Sequence, residues 1–93
     1  MIIRILGEGQ LAVEDSLATE LNELDARLEA AVNAGDEDAF RPVLTEMLER
    51  VRAAGTPVPA DSLESSDVIL PYSDATTQDV RGLLSEDGLI PGR

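Results

Sequence analysis

Two apolar stripes with helical spacing, carried by the segment from Ser16 to Gly55, constrain the fold of this chain more than any other feature of its sequence. Within each stripe the apolar residues recur at alternating intervals of four and three, which places them on one face of a helix. The first stripe contains Leu17, Leu21, Leu24, Leu28 and Ala31, and the second contains Phe40, Leu44, Met47, Val51 and Ala54, widened by Val43 and Leu48. Burying about ten such side chains contributes roughly 1.5–3 kcal/mol each. The sequence therefore predicts two helices that pack against each other as the core.

The residues at the ends of the stripes predict where the two helices begin and end. Asp15 or Ser16 can accept hydrogen bonds from the first turn of the first helix. Gly35 can adopt the left-handed conformation that often ends a helix, and Asp36 then serves as the cap of the second helix, which ends at Gly55. Because the joint is short, the helices are expected to be antiparallel neighbours.

Pro42 lies inside the second helical stripe and breaks its local pattern. A proline has no backbone N–H to donate to the carbonyl of Asp38, and its ring crowds the preceding turn. We therefore expect the second helix either to bend at Pro42 or to begin nearer Arg41.

The flanking segments predict a small sheet. Residues 1–6 are rich in β-branched side chains, residues 7–9 form a glycine-rich turn, and Leu11 and Val13 mark a second strand. Val68–Leu70 is predicted to be a third strand that pairs with this hairpin, because two strands alone are marginally stable.

The remaining segments complete the predicted fold. The proline-rich connection after Gly55 is expected to bring Leu63 into the core. Thr76 and Asp79 have the spacing of a capping box, which predicts a helix from Thr77 to Glu86. The fold class is thus predicted to be α+β, in one domain covering residues 1–93. It consists of a small antiparallel β-sheet packed on an antiparallel helical hairpin, with a short C-terminal helix.

The composition removes most kinds of catalytic and cofactor site. The chain has no histidine and no cysteine, so the commonest general base, the commonest transition-metal ligand and the thiolate nucleophile are all missing. Asp36, Glu37 and Asp38 could ligate a cation, but at a helix start their charge complements the helix dipole. We therefore expect that the chain is not an enzyme and that it has no catalytic residue, no cofactor and no metal site. A carboxylate metal enzyme is kept as a third hypothesis, which a thermal shift with calcium, magnesium or manganese would test.

The charge balance limits the kinds of partner. Nineteen acidic residues against seven basic ones give a net charge of −12, which repels nucleic acid and anionic lipid. We therefore expect no direct binding to nucleic acid, and contact with a membrane only through a partner. No segment approaches the ~20 apolar residues of a membrane span, and the expected location is the cytoplasm.

Exposed residues on the predicted helices are the candidate contacts with a partner. On the outer face, Glu23 and Arg27, and likewise Glu46 and Arg50, stand four positions apart in the order that favours an ion pair within one helix. The predicted partner-binding residues are the acidic ridge and one aromatic anchor: Glu20, Glu23, Glu46, Glu49 and Tyr72. The free edge of the sheet leaves pairing with a second copy, and thus a homodimer, open.

The order of the segments matches a family pattern over nearly the whole chain. The matching residues are the opening Met1–Gln10, the two acidic helices with Gly35-Asp36 between them, the joint Gly55–Pro59, and the tail that runs from Ser66 through Val80–Leu84 to Gly92. On these residues the chain resembles the PspA-associated protein PspAA family of the phage-shock, or membrane-stress, response in bacteria and archaea. Pro42 departs from the pattern, since a helix former is expected there.

The resemblance implies a small cytoplasmic accessory of PspA, a long coiled-coil protein that assembles on the inner face of stressed membranes. It implies no enzymatic step. The hypothesis is a non-enzymatic adaptor or regulator whose acidic hairpin binds a basic or coiled-coil surface of PspA and reaches the inner face of the membrane through it. The alternative is an acidic polyanion mimic or antitoxin-like inhibitor of a basic nucleic-acid-binding protein. DNA or RNA would displace a mimic from its partner, but not a PspA adaptor.

Overall fold

A four-stranded sheet packs on a helical hairpin in the computed structural model, which describes residues 1–59 and 65–81. In chain order the elements are β1 (Ile2–Ile5), β2 (Gly9–Ala12), a 3₁₀ turn (Asp15–Leu17), α1 (Ala18–Ala34), α2 (Glu37–Ala54), β3 (Thr56–Pro57), β4 (Val68–Leu70) and α3 (Thr77–Arg81). The predicted α+β class is confirmed, as are the hairpin of two long helices and the short third helix.

One apolar cluster lies between the sheet and the helices. Both predicted stripes supply it, although Leu17 at the start of the first is only half-buried and Ala54 at the end of the second is exposed. Ile3 and Ile5 of β1 are fully buried against the helices. Since successive side chains of a strand point to opposite faces, Ile2 and Arg4 lie on the outer face of the sheet.

The joint between α1 and α2 is fixed by backbone geometry that the sequence predicts. Gly35 has φ +67°, and its N–H donates to the carbonyl of Val32 while that of Asp36 donates to the carbonyl of Ala31. This pair of hydrogen bonds is a Schellman motif, which favours glycine at the left-handed position. The Asp36 carboxylate then accepts from the N–H of Ala39 at 3.1 Å, so its predicted role as the cap of α2 is confirmed.

The predicted N-terminal cap of the first helix is wrong. No side chain caps α1, which continues directly from the 3₁₀ turn, so neither Asp15 nor Ser16 plays the predicted role. The Asp15 carboxylate instead accepts from the amino group of Met1 at 3.2 Å. A start nearer Arg41 is also wrong for α2, because this helix begins at Glu37 and continues through Pro42.

The sheet is mixed, which corrects the prediction that it is antiparallel throughout. Its order is β3-β2-β1-β4, and β1 pairs antiparallel with β2 but parallel with β4. The chain returns to the sheet beside the start of β1, where the N–H of Asp67 donates to the carbonyl of Ile2 and the Asp67 carboxylate accepts from the N–H of Ile2, both at 2.8 Å. β4 therefore runs in the same direction as β1.

The predicted connection after Gly55 contains an additional edge strand. Thr56 and Pro57 form β3, which pairs with β2; a proline is compatible with an edge because one side of such a strand needs no donor. Gly55 allows this turn back from α2, because a Cβ there would lie 2.8 Å from the Leu11 Cβ and 2.8 Å from the Val51 carbonyl oxygen.

The predicted capping box of α3 is confirmed by both of its hydrogen bonds. The Thr76 hydroxyl accepts from the N–H of Asp79 at 3.3 Å, and the Asp79 carboxylate accepts from the N–H of Thr76 at 3.0 Å. The predicted extension of this helix to Glu86 and the predicted burial of Leu63 fall outside the described residues.

None of the helices within residues 1–59 and 65–81 combines the length and the apolar content that a transmembrane segment needs.

Candidate partner-binding site

Three of the four predicted ridge carboxylates lie together in a shallow groove between α1 and α2. We call this the hairpin groove; its lining residues are Glu20, Glu23, Leu24, Arg27, Glu46 and Arg50. Its volume is about 190 Å³. Leu24 is only 7% exposed and forms the apolar floor, while the charged side chains form the rims. The two helices thus present one apolar residue flanked by charges.

Ion pairs in the hairpin groove join the two helices, whereas the sequence predicts pairs within each helix. Arg50 Nη1 lies 3.1 Å from Glu20 Oε1, and Arg27 Nη1 lies 3.5 Å from Glu46 Oε2. All four side chains are about half exposed, so each pair contributes at most about 1 kcal/mol to stability. Their main effect is on the surface potential, because two guanidinium groups alternate with the ridge carboxylates.

Glu23 is the groove carboxylate that stays available to a partner. Within the described part of the chain it has no ion pair, and its side chain is exposed. The fourth predicted ridge residue, Glu49, is also exposed but does not line the groove. The predicted ridge is therefore a surface of alternating charge with one unpaired acidic position inside the groove.

The predicted anchor Tyr72 does not line the hairpin groove. It follows β4, is 53% exposed, and packs on the turn between β1 and β2. Gly7 in that turn has φ +85°, and a Cβ at this position would lie 2.9 Å from Tyr72 Cδ1 and Cε1. Glycine at position 7 thus allows the tyrosine ring to lie directly on the backbone.

Carboxylate and guanidinium groups also fix α3 and the segment before it against α1 and α2. Glu37 Oε1 accepts from the N–H of Thr77 at 2.7 Å, Arg81 Nη2 donates to the Val32 carbonyl at 2.7 Å, and Arg41 Nη2 donates to the Asp74 carbonyl at 3.3 Å. The hydrogen bonds from Thr77 hold the pKa of the Glu37 carboxyl below its ordinary value of 4.5.

This depressed pKa predicts a pH dependence for Glu37→Gln. The folded state binds fewer protons than the unfolded state near pH 4.5, so the stabilisation by Glu37 is complete above that pH and is lost as pH falls through the folded-state pKa. We expect the Tm difference between wild type and Glu37→Gln to be largest near neutral pH and to shrink as pH falls below about 4.5. Thermal unfolding followed by circular dichroism from pH 7 to pH 3 measures it.

Glu23→Gln is the control for this measurement, because it removes the same charge from an exposed carboxylate that makes no hydrogen bond in the described residues. A Tm difference for Glu37→Gln that stays constant over the whole pH range would contradict the role given to the Thr77 contact.

A second groove lies at the edge of the sheet and has a volume of about 500 Å³. Glu8 and Arg52 form an ion pair on its wall, with Arg52 Nε donating to Glu8 Oε1 at 2.9 Å and Nη2 donating to Oε2. This hydrogen-bonded guanidinium lowers the pKa of the Glu8 carboxyl. The Arg4 side chain lines the same groove.

Two features of the structure were not predicted from the sequence. Asp25 is fully buried in α1, although its position between Leu21 and Leu28 on the apolar stripe is a signal that could have identified it. The Glu8–Arg52 pair joins positions that are 44 residues apart, which no local spacing indicates.

The described carboxylates do not form a metal centre. Among residues 1–59 and 65–81, no group of three or more carboxylate side chains is arranged to hold a metal ion. Of the metal-ligand candidates Asp36, Glu37 and Asp38, the first two have carboxylates that accept backbone hydrogen bonds.

Comparison with known proteins identifies the family of the chain. The family model described as "PspA-Associated protein" matches residues 1–92. The chain has no match among curated proteins and none among solved structures.

Proposed function

The chain belongs to the PspA-associated protein family, and from this membership we propose that it is a non-enzymatic adaptor that binds a PspA-type coiled-coil protein through the hairpin groove. The observation that carries the proposal is the pattern of the groove, where Leu24 lies between charges of alternating sign on two antiparallel helices. Coiled coils present the matching pattern, since apolar seam positions are flanked by glutamate and lysine or arginine.

The groove and the partner would then form a helix-on-helix contact. A partner helix lying along the groove places an apolar side chain over Leu24 and a basic side chain opposite Glu23, while its charged flanks meet the Glu20–Arg50 and Arg27–Glu46 pairs. Such charges steer the encounter and set its salt dependence more than they set the final affinity. With a net charge of −12, the chain would reach the cytoplasmic face of an anionic membrane only through that partner.

The alternative function, a polyanion mimic that covers a basic nucleic-acid-binding protein, has less support. The net charge fits it equally well, but the hairpin groove interleaves arginines with its carboxylates, whereas a nucleic-acid backbone is a continuous line of negative charge. The family description gives the alternative no support.

Binding to purified PspA-type protein from the same genome tests the proposal. We expect wild-type chain to bind, and Glu23→Lys to weaken the affinity about tenfold, because a basic side chain of the partner would then meet a like charge. The matched control is Asp74→Lys, which makes the same change in net charge at an exposed position that also lies beside an arginine, Arg41. Isothermal titration calorimetry at 50 and 150 mM salt measures the affinity of the wild type and of both variants.

Two results would overturn the proposal. Absence of binding by the wild-type chain would contradict the proposed adaptor function. Release of bound partner by added duplex DNA would favour the polyanion mimic instead.

A further inference from the structure

Strand β3 ends the sheet on one side, and the chain continues from it through Val58 to Pro59. In the part of the chain that the structure describes, β3 pairs only with β2. Thr56, Pro57 and Pro59 are exposed. An edge strand usually carries a row of unpaired N–H and C=O groups, which is a template for pairing with a strand of another molecule. We call the side of residues 55–59 that faces away from β2 the β3 edge.

The ladder between β2 and β3 decides which backbone groups face the β3 edge. Val58 donates its N–H to the carbonyl of Gln10 in β2 at 3.0 Å. In an antiparallel pair, adjacent residues of one strand direct their backbone groups to opposite sides. Thr56 therefore also directs its N–H and C=O to β2, whereas Pro57 and Pro59 direct theirs to the β3 edge.

The β3 edge has no N–H group to offer to an approaching strand. Proline has no backbone N–H, so Pro57 and Pro59 present only carbonyl oxygens. The preceding position in the same alternation is Gly55, whose N–H donates to the carbonyl of Val51 at the end of α2, at 2.8 Å. Positions 55, 57 and 59 of this edge can therefore accept hydrogen bonds from another strand but cannot donate any.

This lack of donors acts most strongly against a second copy of the chain. If two β3 edges meet antiparallel about Val58, position 57 of each copy lies opposite position 59 of the other, and such pairs normally exchange two N–H···O bonds. Here every one of these bonds lacks its donor. The carbonyl oxygens would instead lose water without gaining a partner, which costs free energy. The net charge of −12 on each copy adds repulsion.

We propose that Pro57 and Pro59 close the β3 edge, so that the sheet does not extend into a second copy of the chain. The proposal rests on backbone geometry and is independent of the proposed partner. It removes one of the two sheet edges from the surfaces through which a homodimer could form.

Restoring the missing donors tests the proposal. In the double variant Pro57→Val with Pro59→Val, both outward positions regain an N–H, and valine favours extended backbone. We expect the double variant to self-associate at least tenfold more tightly than wild type at about 0.1 M salt, where the repulsion between copies is partly screened. Each single variant should lie between the two. Sedimentation equilibrium measures the association constants, and circular dichroism checks that each variant is folded.

The matched control is Thr56→Val, which adds the same apolar side chain at an exposed position whose N–H faces β2. It should associate no more tightly than wild type. In the double variant, hydrogen exchange at the amides of positions 57 and 59 should slow as protein concentration rises, because these N–H groups become bonded on association.

Two results would overturn the proposal. One is that the folded variants Pro57→Val and Pro59→Val, singly and together, associate no more tightly than wild type. The other is that Thr56→Val associates as tightly as the double variant, since added apolar surface would then account for the effect without the restored donors.

Discussion

Phe40→Ala is expected to lower the free energy of unfolding by about 3–5 kcal/mol, the range measured when a buried phenylalanine is replaced by alanine. Phe40 is fully buried, is the single phenylalanine of the chain, and is the largest of the fully buried side chains among the described residues. Because the rest of the core is aliphatic, no second ring is present to fill the cavity. A chain of this size is stable by only about 5–15 kcal/mol, so the loss is a large part of the total.

Urea unfolding followed by circular dichroism measures this effect. The midpoint should fall while the slope of the transition is unchanged, because the same surface is exposed on unfolding. Phe40→Leu, which keeps most of the volume, should lose less than about 1.5 kcal/mol. The matched control is Tyr72→Ala, which removes the other aromatic ring from an exposed position and should lose less than about 1 kcal/mol. Equal losses of unfolding free energy for Phe40→Ala and Tyr72→Ala would contradict the role given to Phe40 in the core.

Most of the features that depend on local sequence were predicted correctly, although neither Asp15 nor Ser16 caps the first helix. The helical stripes, the left-handed Gly35, the cap at Asp36 and the capping box from Thr76 to Asp79 each involve residues within one or two turns of each other. Their geometry follows from backbone conformation and from hydrogen bonds that close over three or four positions. Such features can be recognised before the tertiary structure is known.

The parts that depend on tertiary structure were not predictable in the same way. The three residues of β4 carry no signal of their direction, which is set by where the chain returns beside Ile2. Likewise, Glu23 and Arg27 have the correct spacing for an ion pair, but α2 brings Glu46 within reach of the same guanidinium. A long side chain on the surface can pair with any of several partners, because an ion pair within one helix stabilises it by only about 0.2–0.5 kcal/mol.

In the candidate site, too, features set by composition and local spacing could be predicted, and features set by tertiary contacts could not. Composition and spacing identified exposed carboxylates, and the structure brings Glu20, Glu23 and Glu46 into one groove. That Arg4 makes no ion pair within the described residues was not predicted, because its neighbour Glu8 pairs with Arg52, which lies 44 positions away and is brought close only by the fold. Tyr72 stays a prediction as an aromatic anchor for a partner, and the packing of its ring on Gly7 depends on the turn that brings the two residues together.

Pro42→Ala is expected to stabilise the chain by about 2 kcal/mol. Pro42 is exposed and lies inside α2, where it leaves the Asp38 carbonyl without the N–H that a helix normally supplies. Proline is about 3 kcal/mol less favourable than alanine inside a helix, and the greater freedom that alanine gives the unfolded chain offsets about 0.4–1 kcal/mol of the gain. At about 4–8 °C for each kcal/mol in a chain of this length, the Tm should rise by roughly 10 °C.

The matched control is Thr45→Ala, which places alanine at another exposed position of α2, one turn later. Because threonine already donates its N–H to the helix, this change should stabilise by only a few tenths of a kcal/mol. A rise in Tm that is much larger for Pro42→Ala than for Thr45→Ala would locate the cost of the proline in the missing backbone hydrogen bond and the crowded turn. Equal Tm values for Pro42→Ala and wild type would mean instead that the first turns of α2 accommodate the ring without strain, and that water satisfies the exposed Asp38 carbonyl.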